Sequence, residues 1–103
     1  GIIGIENNGT ELPEGFKLEQ NYPNPFNPAT NIRFSIPNVL SNREISLKIY
    51  NILGNEVAVL ADGKYPAGEH EISWNAEGIP SGIYFYKLLS ENLSITKKMV
   101  LVK

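Results

Sequence analysis

Ile32, Phe34 and Ile36 alternate with Asn31, Arg33 and Ser35, and Pro37 stops the run. Successive side chains of a strand point to opposite faces, so this spacing predicts a half-buried strand over Thr30–Ile36. Ile45, Leu47 and Ile49, set against Ser46, Lys48 and Tyr50, predict a second strand over Glu44–Tyr50. The device recurs in Glu56–Leu60, Gly82–Leu89, Leu93–Val102 and Gly68–Trp74, the last with His70, Ile72 and Trp74 on one face. Phe16-Lys17-Leu18 supplies a short first strand. Clusters of Gly, Pro and Asn separate these segments, and none sustains the period of a helix. About seven short strands at such spacing predict an all-β chain, an immunoglobulin-like antiparallel β-sandwich.

Two details sharpen that expectation. In such sandwiches a tyrosine near the start of a late strand hydrogen-bonds the backbone a few residues upstream, and Tyr84 in Ser81-Gly82-Ile83-Tyr84-Phe85-Tyr86 fits it. Tyr86 then occupies the place of the second cysteine of antibody domains, and Trp74 supplies the large central core group. The final segment keeps its apolar pattern to Lys103, although chain ends ordinarily fray. Lys97, Met99 and Leu101 share one face of it, and Lys98, Val100 and Val102 the other. A terminal strand apolar on both faces is expected to be packed, read by a partner, or both. Ile83, Phe85 and Leu89 are an outward apolar set on the strand before it, of the kind that marks a partner surface. Gly1–Gly15, with Pro13 and Asn7-Asn8-Gly9, reads as a linker to something upstream, and residues 16–103 as one domain.

Composition excludes most chemistry. Without cysteine there is no disulfide framework, thiolate metal site or cysteine nucleophile, and a lone histidine cannot build a multi-histidine zinc site. A net charge of −2 gives no footprint for nucleic acid. No apolar run approaches the roughly 20 residues of a membrane span, and Gly1-Ile2-Ile3-Gly4-Ile5 is too short for a signal peptide. In Glu69-His70-Glu71 strand geometry turns both acids away from the histidine, so general-base catalysis is not expected. Asn21, Asn24, Asn27 and Asn31, with Asp62 and Glu77, match no calcium loop and read as turn residues. No cofactor and no enzymatic activity are expected.

Several segments, taken in order, carry a resemblance. They are Leu18-Glu19-Gln20-Asn21-Tyr22-Pro23-Asn24-Pro25-Phe26-Asn27-Pro28, Thr30-Asn31-Ile32-Arg33-Phe34 and Ile49-Tyr50-Asn51-Ile52-Leu53-Gly54. Gly68-Glu69-His70-Glu71-Ile72-Ser73-Trp74, Pro80-Ser81-Gly82-Ile83-Tyr84-Phe85-Tyr86 and Lys97-Lys98-Met99-Val100-Leu101-Val102-Lys103 follow. The set, covering Leu18 to Lys103, resembles the type A C-terminal sorting domain of the type IX (Por) secretion system. Such domains end large exported proteins of Bacteroidota and related bacteria. The resemblance implies an address for outer-membrane machinery, a covalent N-terminal passenger that reaches the periplasm by its own signal, and a final location at the cell surface or in the medium. In many members a sortase-like protease removes the domain and joins the passenger to surface lipopolysaccharide. Carried over to this chain, the recognition residues are Gly82, Tyr84, Lys97, Lys98, Val100, Val102 and Lys103.

Two other readings make different predictions. A structural module similar to the immunoglobulin-like domain of the flagellar hook-capping protein shares the Pro-Asn-Pro-Phe and Ser-Gly-x-Tyr elements. A carbohydrate-binding module instead requires Tyr22, Tyr50 or Tyr65 to stand exposed in a shallow row.

Overall fold

A computed structural model describes residues 12–103. Its strands are β1 (Lys17–Leu18), β2 (Ala29–Ile36), β3 (Arg43–Tyr50), β4 (Glu56–Tyr65), β5 (Gly68–Asn75), β6 (Gly82–Ser90) and β7 (Leu93–Leu101). A short 3-10 turn, Asn38–Leu40, follows Pro37. One sheet has the order β1-β2-β5 and the other β4-β3-β6-β7, with every pairing antiparallel. Against the four-plus-three arrangement of immunoglobulin constant domains, the fourth strand here has joined the opposite sheet. Most of the expected linker, residues 1–11 of Gly1–Gly15, lies outside the described residues. Residues 12–15 turn into β1, the Phe16 N–H donating to the Pro13 carbonyl at 3.1 Å.

The predicted alternation is what closes the sandwich. Ile32 and Phe34 from β2 meet Leu47 and Ile49 from β3, Tyr86 and Leu88 from β6 and Met99 from β7, all fully buried between the sheets. Each such side chain contributes about 1.5–3 kcal/mol by leaving water. Trp74 lies at one end of this core, its ring 5.8 Å from Phe26 and 6.2 Å from Tyr84. Asn51 builds the turn after β3: its Oδ1 accepts from the N–H groups of Leu53 and Asn55.

β4 departs from expectation. The period-two pattern ends near Leu60, yet the strand continues through Asp62-Gly63 to Tyr65. Two register shifts against β3, between Leu47 and Lys48 and between Ile49 and Tyr50, insert extra β4 residues. Each extra residue flips the faces that follow, so the alternation vanishes from the sequence although the ladder persists. Gly63 pairs with Ile45 rather than forming a turn.

Candidate functional site

Tyr84 lies at the start of β6, buried, and its hydroxyl donates to the Pro80 carbonyl at 2.6 Å. That is the tyrosine corner expected from the sequence. Its side chain belongs to the core and holds the entry to β6. Replacing it with Phe is expected to cost about 1 kcal/mol by deleting that one bond. Equal urea midpoints for Tyr84→Phe and wild type would contradict the assignment. Gly82 opens the same strand with φ +149°, and nothing lies within 4 Å of where its Cβ would stand. Side-chain-bearing residues rarely adopt that φ, so Gly82→Ala is expected to lose about 1–3 kcal/mol through backbone strain alone. An unchanged melting temperature would contradict this.

The Asn21–Pro28 loop between β1 and β2 does more than turn the chain. Its Phe26 N–H donates to the Val100 carbonyl at 3.0 Å, and its carbonyl accepts from the Val102 N–H at 2.9 Å. Asn24 Oδ1 accepts from the Val100 N–H at 3.0 Å, and Gln20 Nε2 donates to the Lys98 carbonyl at 2.7 Å. The stretch from Gln20 to Phe26 thus lies along the outer backbone edge from Lys98 to Val102. Side chains brace it from within. Asn21 Nδ2 donates to Thr30 Oγ1 and to the Pro23 carbonyl, to which the Thr30 hydroxyl also donates. Phe26 itself is almost completely buried against Trp74. From the core side, the Tyr86 hydroxyl donates to the Glu19 carbonyl at 2.7 Å and accepts from the Asn21 N–H at 2.8 Å. Burial pushes that hydroxyl up from its ordinary value of 10.0 to about 12, against the downward pull of the Asn21 N–H.

β7 divides its side chains as the alternation predicted. Met99 and Leu101 are buried in the core, and Lys97, in register with Tyr86, shares their face at its margin. Lys98 and Val100 face outward beside Phe85 and Ile83 of β6, and Val102 and Lys103 follow, exposed. Among the expected recognition residues, Lys98, Val100 and Val102 therefore share a surface with Ile83 and Phe85. Tyr84 and Lys97 belong to the opposite face. Three residues outside the expected recognition set complete that surface. Tyr50 pairs with Phe85, Lys87 stands with its Nζ 5.9 Å from the Tyr50 ring centroid, and Ile52 is exposed beside them. Only strand register, which the sequence does not state, brings them together.

Other candidate sites resolve as ordinary structure. His70 stacks on Phe34 at 5.3 Å, meets the edge of Tyr65 and hydrogen-bonds the Pro66 carbonyl. The aromatic row required for sugar binding does not form: Tyr22 belongs to the β1-β2 loop, Tyr50 to the outer face of the other sheet, and Tyr65 packs on Phe34. Asn24 and Asn31 spend their side-chain oxygens on Val100 N–H and the Ser73 hydroxyl. Among the described residues no group of three or more His, Asp or Glu is placed to hold a metal ion. Among them, too, no helix is long and apolar enough to cross a membrane.

The family model described as the secretion system C-terminal sorting domain matches residues 20–103. Those residues run from the stretch that borders β7 through β7 itself and the two residues after it. No curated protein and no solved structure matches the chain. The family is one of secretion signals rather than catalysts, and neither the hook-capping nor the carbohydrate-binding reading finds support. With its ordered motifs, its seven-stranded sandwich and a match over residues 20–103, the chain belongs to the C-terminal sorting domains of type IX secretion.

Proposed function

We propose that the domain works as a folded address, carried by an N-terminal passenger through the periplasm to the outer-membrane type IX machinery. The observation that supports this best is the coupling of the family's loop motif to its terminal motif. Gln20, Asn24 and Phe26 bond the backbone of Lys98, Val100 and Val102, so the terminal segment has its shape only when the sandwich is folded. Lys98, Val100, Val102 and Lys103 present themselves to the machinery, whereas Gly82 and Tyr84 act by fixing the strand behind them, and Lys97 borders the core. A sortase-like protease then separates passenger from domain within the linker, residues 1–15.

Intact-mass measurement tests both steps on a reporter carrying this chain at its C-terminus. In a type IX-competent host the surface or medium fraction is expected to lack the domain. In a secretion-deficient host the full-length fusion is expected in the periplasm. An exported reporter that retains residues 16–103 would contradict removal, and a fusion held in the cytoplasm would contradict transit.

A further inference from the structure

The outer face of the four-stranded sheet carries a groove whose floor and walls include Tyr50, Ile52, Phe85, Lys87 and Thr96. It continues along the register into exposed Ile83, half-buried Val100 and exposed Val102. Charge on this part of the face is one-sided. Among the described residues, Lys48, Lys87 and Lys98 stand there against Glu56 alone, on a chain whose formal net charge is −2. Lys48 is paired with Glu56 at 3.4 Å. Among the described residues neither Lys87 nor Lys98 has a carboxylate in ion-pair range. Glu44 and Asp62 lie further along, beside Ser46 and Lys64.

A terminal strand invites a second mode of reading, in which a partner adds a strand to its backbone edge. Here the outward N–H and C=O groups of Val100, the carbonyl of Lys98 and the N–H of Val102 already bond the Gln20–Phe26 stretch. Over Lys98–Val102 no incoming strand finds a free ladder. What the segment still offers is its outward side chains.

Resting on the sorting reading, we infer that the machinery takes this domain by that outer face: an apolar partner segment seats on Tyr50, Phe85, Ile83 and Val100, with carboxylates opposite Lys87 and Lys98. Charge complementarity selects the occupant. An apolar floor flanked by unpaired ammonium groups suits an acidic protein segment, since opposed charges steer encounter and like charges reject wrong partners.

Export of the full-length reporter fusion tests this with two variants. Lys87→Glu combined with Lys98→Glu reverses the charges at exposed or half-exposed positions, so its melting temperature is expected within about 3 °C of wild type. Its export is expected to fall about tenfold or more. Lys17 and Arg33 are exposed on the opposite sheet, outside the groove. Lys17→Glu combined with Arg33→Glu makes the same change of net charge there, and its export is expected to match wild type. Wild-type export by the folded Lys87→Glu, Lys98→Glu variant overturns the inference, as does an equal loss of export by the folded opposite-sheet variant, which would assign the effect to net charge rather than to this face. Flotation of the purified domain with phosphatidylethanolamine–phosphatidylglycerol vesicles, abolished in the Lys87→Glu, Lys98→Glu variant, would assign the face to a membrane and equally overturn it. Failure of the wild-type fusion to be exported at all would strike the sorting reading itself.

Discussion

Phe26→Ala is expected to lower the stability of the domain by about 3–5 kcal/mol, a large share of the 5–15 kcal/mol that holds a domain of this size together. The ring is 1% exposed and packs 5.8 Å from Trp74, so truncation leaves a cavity at the end of the core. The same residue supplies both backbone bonds to Val100 and Val102. A loop that loses its buried anchor no longer holds those groups, and the terminal segment loosens with it. Urea denaturation is expected to show the loss, and a reporter fused to the variant is expected to be exported poorly. Phe26→Leu, which refills most of the cavity, is expected to recover much of both. A variant as stable as wild type would show that the loop does not anchor β7.

Tyr86→Phe is expected to cost about 1–3 kcal/mol, because the buried Asn21 N–H keeps no acceptor when the hydroxyl is gone. The Glu19 carbonyl loses its donor as well. The substitution also carries a pH signature. Burial raises the folded value of this tyrosine from 10.0 to about 12. Below pH 10 both folded and unfolded chains keep the proton, and the stabilisation is fully present. Between pH 10 and about 12 the unfolded chain releases it first, so stability falls as pH rises through that window. The loss amounts to about 2–3 kcal/mol at the end of it. The informative quantity is the difference between proteins: wild type is expected to lose more than Tyr86→Phe. Parallel loss in both would contradict the assignment.

Where the chain obeys a local rule, the fold was legible from residues alone. β2, β3 and β6 follow the alternation of Ile32-Arg33-Phe34, Ile45-Ser46-Leu47 and Tyr84-Phe85-Tyr86, each with one face in the core. Tyr84 was legible because its partner, Pro80, lies four residues away. The second half of β4 was not, because its bulges break the period that announces a strand. Nor was the embrace of β7 by the Asn-Pro loop. Gln20 and Lys98 are 78 residues apart, and Asn24 and Val100 are 76, so no periodicity joins them. The Tyr86 hydroxyl reaches Glu19 across the core, again a relation of the folded chain. Of the outer face, alternation gave Lys98, Val100, Ile83, Phe85 and Tyr50 as outward residues, whereas the meeting of Tyr50 with Phe85 and Lys87 required the register of β3 with β6.

The central claim, that this folded sandwich is itself sufficient to direct type IX export, rests most directly on a reporter fused to the N-terminus of residues 1–103. It would be expressed in a type IX-competent host and in its secretion-deficient counterpart. Reporter signal at the surface or in the medium of the competent host, and only there, is the predicted result. Equal retention in both hosts, with the fusion folded and periplasmic, would contradict it.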